Sequence, residues 1–129
     1  VSQPSAAEFE SLARAVLRRL PSPFREHLDE VVLRIEEFAS AEQLAGVCME
    51  DRWELTGLYE GIALPDQSQW DHERMPPVIS LFRQPLLAEM EETGVGLFEL
   101  VRHVVIHEAG HHFGLSDEDM DALEASVED

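Results

Sequence analysis

The sequence predicts one domain of mixed α and β structure, residues 1–129, and three observations carry that expectation. Apolar residues recur at helical spacing near both ends of the chain. Three short runs between them alternate apolar and polar in the manner of strands. One segment, Leu97 to Phe113, is apolar at almost every azimuth, and a short helix of that kind belongs inside a core. A length of 129 residues suits a single domain, typically ~100–150 residues. Such a chain buries roughly two-thirds of its unfolded surface, so it needs no disulfide or metal merely to fold.

From Ser5 to Leu20 the apolar positions Ala6, Phe9, Leu12, Ala13, Val16, Leu17 and Leu20 mark a helix, stopped by Pro21 and Pro23. Val31, Leu33 and Ile35 alternate with Val32, Arg34 and Glu36 as a strand. Ser40 to Met49 is expected as a short helix. Leu55 to Leu64 reads as a second strand, with Leu58, Glu60, Ile62 and Leu64 on one face and Tyr59 on the other; Gly57 and Gly61 count against it. A polar loop with Trp70 and His72 spans Pro65 to Pro77. Val78 to Arg83 is the third strand, and Pro85 opens a short helix. Gly94 and Gly96 precede the apolar helix, and Gly114 is a natural residue to end it. Ser116 offers an N-cap for a terminal acidic helix, Asp117 to Val127, packing through Met120, Leu123 and Val127.

Asp and Glu number 27 against 9 Lys+Arg, a net charge of −18. The basic residues are all Arg, at 14, 18, 19, 25, 34, 52, 74, 83 and 102. Scattered Arg and no Lys argue against nucleic acid, whose phosphates demand clustered cations. The acidity is expected to be a solvated surface, although a basic partner would also account for it. No stretch approaches the ~18–20 apolar residues of a membrane span. Cys48 is alone, which excludes an intramolecular disulfide and favours a reducing compartment. Val1-Ser2-Gln3-Pro4 lacks the basic-then-apolar run of a signal peptide, and the missing initial Met leaves room for a removed leader. The expected location is cytoplasmic.

The chemistry concentrates in the apolar helix, at His107-Glu108-Ala109-Gly110-His111. Residues four apart share a helix face, so the two imidazoles can converge on one zinc ion. Glu108 is turned ~100° from His107. It can lean over the water such an ion activates without ligating it, as general base of a zinc hydrolase. By chance the five-residue pattern is expected roughly 0.04 times in a shuffle of this composition, which leaves chance in contention. Gly114 three residues on and Asp117 six residues on lower that expectation to about 10⁻⁴. Gly114 can take a positive φ and turn the chain back beneath the metal. Asp117 could then be a third ligand, leaving the fourth position open as catalysis requires.

From Arg102 to Met120 the chain resembles the small bacterial zincin-like metallopeptidases, the minimal zincins. Leu58-Tyr59-Glu60-Gly61-Ile62-Ala63-Leu64 and Ile79-Ser80-Leu81-Phe82-Arg83-Gln84-Pro85 resemble that family's two strand segments. Phe24-Arg25-Glu26 resembles its N-terminal part. The resemblance implies an α+β zincin-like fold, with a small mixed sheet packed against the active-site helix. It also implies one zinc ion per chain, His107 and His111 as ligands, Glu108 as base and Asp117 as third ligand. Two departures from the better-known Gly-turn zincins stand out: their third ligand is commonly His, and nothing here resembles a separate Met-turn.

Blander roles stand beside these. Asp117 begins a helix, where the dipole alone favours an acid by ~0.3–1 kcal/mol; Glu118, Asp121 and Glu124 are alternative ligands. His103, one turn before His107, is expected to support the ligands, to line a pocket or to be a paired core residue, because a row from His103 to His111 spans ~12 Å of helix rise. His112 is expected to be packed or solvated. Tyr59, His72 and Arg83 are candidates to stabilise an oxyanion, with structural roles favoured for each; Trp53 and Trp70 are expected to pack. The resulting expectation is a zinc peptidase or related amide hydrolase acting on a peptide or protein. An extended substrate would pair with an exposed edge strand, for which Val78 to Arg83 is the candidate. The rival is a zinc-bearing interaction module without turnover, or one needing a partner to complete its cleft. A closed four-ligand site would favour the module. A zinc hydrolase acting on RNA is disfavoured by the charge.

Overall fold

The computed structural model describes residues 3–22, 24–61 and 76–126. Ser5 caps the first helix, its hydroxyl accepting from the Glu8 amide at 3.2 Å, and α1 runs Ala6–Arg18. Phe9, Ala13, Val16 and Leu17 form its buried stripe at the expected spacing. A turn of helix, α2 (Phe24–His27), and a 3₁₀ turn, Leu28–Glu30, follow. Seven residues are too few for a periodicity to show, and neither turn is legible in the sequence.

The strands are β1 (Val32–Glu36), β2 (Gly57–Glu60) and β3 (Val78–Phe82), with α3 (Ala41–Gly46) between the first two. Ser40 and Gln43 close a capping box at the start of α3. The strand expected to run to Leu64 is described only as far as Glu60; Ile62 to Leu64, Trp70 and His72 lie outside the described residues. The helix expected to open at Pro85 begins earlier, as α4 (Arg83–Thr93). Pro85 then sits in its first turn, where a missing N–H costs nothing. Two more helices follow, α5 (Leu97–Phe113) and α6 (Asp117–Ser126).

The sheet order is β1-β3-β2, with β1 parallel and β2 antiparallel to β3. This corrects one expectation. The strand from Val78 is central, hydrogen-bonded on both sides, and cannot offer an edge to a substrate. Its pairing with β1 is parallel and long-range, which no local pattern announces. Its composition fits that place, since Ile79, Ser80, Leu81 and Phe82 are all buried.

One face of the sheet, with Leu33, Ile79 and Leu81, joins α1 and α5 in the main core. The opposite face closes on a smaller cluster of Ala39, Leu55 and Phe82, flanked by Leu44, Val47, Met49 and Leu58. Trp53 packs edge-on against Phe38 at 4.8 Å, in keeping with a packing role. Helices α1 and α5 therefore share that face of the sheet, α1 against β1 and α5 against β2 and β3, and everything α5 carries is positioned by that core.

Candidate metal centre

Leu100, Val101, Val104, Val105, Ile106 and Ala109 bury α5 on nearly all sides. Its end is set by Gly114 at φ 67, ψ 30, a left-handed conformation that glycine adopts without strain. The Leu115 amide reaches back to the Gly110 carbonyl at 3.0 Å and the Gly114 amide to His111 at 3.1 Å, satisfying carbonyls that would otherwise be orphaned. Ser116 then caps α6 by accepting from the Asp119 amide at 3.1 Å. Met120 of α6 packs onto Gly110.

Two stripes on α5 carry the polar groups. The outer stripe is His103, His107 and His111. The rings of His107 and His111 meet edge-on at 5.0 Å between centroids, and His103 stacks on His107 at 6.4 Å. The His111 side chain is 47% exposed, so the pair opens to solvent. Glu108 is turned toward the sheet and almost buried, with its Oε1 4.0 Å from His111 Nε2. One potential ligand atom from each of His107, Glu108 and His111 lies within 4.8 Å of the others, so these three could hold a metal ion.

The remaining sequence candidates are placed differently. Asp117 is the first residue of α6, exposed, and is not part of that group of three. His103 is exposed rather than in the core, and its Nδ1 pairs with Glu124 Oε1 at 2.7 Å, fastening α5 to α6. Glu124, an alternative ligand in the sequence, is thus engaged with His103. Arg83 is committed at the start of α4: its Nε donates to the Pro4 carbonyl at 2.8 Å and its Nη1 to Glu37 at 2.9 Å. Tyr59 lies on β2, its hydroxyl 2.7 Å from His112 Nδ1.

His112 is the residue that sequence reasoning undervalued. It is wholly buried, bonded to Tyr59, and its Nε2 is 3.5 Å from Glu30 Oε1. A signal for it was present: His112 is four residues after Glu108, so those two share a face just as His107 and His111 do.

Burial in the core pushes the Glu108 carboxyl above the usual carboxylate range. The neighbouring His111 and His107, together with a hydrogen bond from the Tyr59 main chain, pull the other way. Tyr59 is itself raised by burial and by the nearby Glu30 carboxylate. Two imidazoles a helical turn apart, facing solvent over a poorly solvated carboxylate, suit a borderline-soft divalent cation such as zinc. Among the described residues, no helix is long and apolar enough to cross a membrane.

The model of the zincin-like metallopeptidase family matches residues 28–127 of the chain. No curated protein matches it.

Proposed function

The chain belongs to the zincin-like metallopeptidase family, and from that premise we propose that it is a zinc-dependent peptidase whose general base is Glu108. The observation that carries the reading is the pairing of the solvent-facing imidazoles of His107 and His111 with a nearly buried carboxylate beside them. His107 and His111 would hold one zinc ion, with Asp117 as third ligand. Asp117 belongs to the same helix as Met120, which packs against α5, and follows the Gly114 turn. Bound zinc would supply Lewis-acid polarisation of the scissile carbonyl and a more acidic water.

Glu108 would take a proton from the attacking water and hand it to the leaving amine. Its raised pKa suits this double role, since a base is most useful when its conjugate acid can also give the proton up. The edge strand beside Glu108 is β2 and not β3, so an extended peptide substrate would meet β2, through outward main-chain groups other than the Tyr59 amide that Glu108 takes. We expect no nucleic-acid or membrane partner.

The test is Glu108→Gln, which keeps shape and most hydrogen bonding but cannot accept a proton. Hydrolysis of a peptide library should fall by ~10²–10⁴-fold, the usual contribution of a general base, while zinc content stays at the wild-type level. Equal cleavage by the variant would overturn the mechanism. A loss of zinc together with activity would move Glu108 into the set of metal ligands.

A further inference from the structure

The register of the β2–β3 pair decides where the main chain of β2 points. The Phe82 amide bonds to the Thr56 carbonyl at 3.0 Å, and Gly57, Leu58, Tyr59 and Glu60 lie opposite Leu81, Ser80, Ile79 and Val78. Hydrogen-bonded positions alternate along an antiparallel pair, so Leu58 and Glu60 bond to β3 while Gly57 and Tyr59 direct their amides off the outer edge. There the Tyr59 amide donates to the Glu108 carboxylate. The side chain of the same residue reaches His112. Tyr59 therefore grips α5 at two points one helical turn apart, by its main chain at Glu108 and by its hydroxyl at His112.

Two further features fix that grip. Gly57 lets β2 lie against α5, for a Cβ there would stand 2.5 Å from Val104 Cγ1 and 3.5 Å from Glu108 Cγ. Glu30, from the 3₁₀ turn, faces His112 Nε2 at 3.5 Å. A carboxylate on that side favours the proton on Nε2 and leaves Nδ1 to accept from the Tyr59 hydroxyl. His112, fully buried with Glu30 near its other nitrogen, is a rigid post for the phenol.

We infer that Tyr59 is a positioning residue for the base: its hydroxyl, anchored on His112, holds β2 at the distance where its own amide fixes the Glu108 carboxylate. This rests on the reading of Glu108 as base. Without the anchor, the carboxylate is free to close the 4.0 Å gap to His111, and it meets the attacking water less often in a productive orientation. Substrate affinity and zinc content should stay as they are, because the hydroxyl's partner is His112 and not His107 or His111.

The experiment compares wild type, Tyr59→Phe, His112→Asn and His112→Leu as zinc-loaded proteins, and follows the amide of residue 59 by NMR in zinc-free samples. Asn can place an amide atom near the position of Nδ1, whereas Leu cannot. Tyr59→Phe and His112→Leu are expected to lower kcat about 10–100-fold, the usual range for groups that orient a metal site, with KM and zinc content unchanged. Both should also shift the residue 59 amide resonance in the direction seen in Glu108→Gln and lower its protection from exchange. His112→Asn should restore much of both. An unmoved amide in Tyr59→Phe overturns the inference, and so does a loss carried by KM alone, which would make the hydroxyl a substrate contact. If the wild-type protein cleaves no peptide, the peptidase reading fails, while the amide resonance still decides whether Tyr59 positions Glu108.

Discussion

Two polar clusters stand at different places on the sheet, and both contain residues that the sequence put forward for catalysis. At the α5 cluster, Glu108 is nearly buried and its pKa is pushed up by burial. At the junction of β3 and α4, Glu37 is 54% exposed and its carboxyl is held below the usual range, chiefly by the Gln84 amide and also by Arg83. The Gln84 and Arg83 side chains each donate to Glu37 Oε1 at 2.9 Å, and Arg83 also takes the Pro4 carbonyl. One carboxylate is kept where its charge is costly; the other sits where its charge is satisfied. A buried, strained ionisation state beside titratable partners is a mark of chemistry, and a saturated exposed pair is a mark of architecture.

The sharpest break of the comparison is at the outer stripe of α5. The double substitution His107→Ala/His111→Ala should take zinc from about one per chain, the content expected of one such site, to none, and abolish hydrolysis. The metal-free fold should barely respond, within about 0.5 kcal/mol, because the ring contacts of both side chains are with one another and with the exposed His103. Metal analysis showing full occupancy in the double variant would remove this centre. Asp117→Ala comes next. Loss of a third ligand should weaken zinc binding at least ~10-fold, the smaller end of what even supporting groups contribute. Unchanged affinity in a competition titration would return Asp117 to the role of a helix-starting acid.

How much of this was legible follows from the range of the interactions. Helix α5, its Gly114 turn and the Ser116 cap are local, written within about twenty consecutive residues, and they stand in the structure where the sequence puts them. The position of β3 is not local, because a parallel partner can be chosen only once β1 is brought beside it. His112 was undervalued for a related reason. Its partners Tyr59 and Glu30 come from β2 and the 3₁₀ turn, and the turn itself is too short to leave a pattern. Arg83 is the converse case: the structural role the sequence favours for it holds, but its partners Pro4 and Glu37, far off in sequence, are named only by the fold.

Arg83→Leu tests that contrast from the architectural side. Removing a mostly buried guanidinium frees the Pro4 carbonyl and the Glu37 carboxylate, at a cost of about 1–2 kcal/mol for the lost hydrogen bonds, read by urea denaturation. The kcat of the zinc-loaded protein should stay within about threefold, since ~1.4 kcal/mol at the transition state would already be tenfold. A hundredfold fall in kcat with unchanged stability would make Arg83 an oxyanion stabiliser and dissolve the distinction between the two clusters.

The smallest effect belongs to Glu37 itself, and its sign is set by the direction of its shift. The folded-state pKa lies below the value of about 4.5 expected of the free side chain, because the Gln84 and Arg83 hydrogen bonds favour the ionised form. The stabilisation is therefore fully present above that unfolded value and disappears as pH falls through the lower folded-state pKa. Half the side chain is exposed and salt screens the pair, so the contribution should be only a few tenths of a kcal/mol. With so many other carboxylates titrating in the same range, the measurable quantity is the difference in unfolding free energy between wild type and Glu37→Gln, taken from pH 7 down to pH 3 in zinc-free buffer. That difference should favour wild type at neutral pH and shrink toward acid. A difference that grew toward acid would mean that the charge on Glu37 opposes folding. The β3–α4 junction would then resemble the α5 cluster, where the buried Glu108 carboxyl is shifted in the opposite direction.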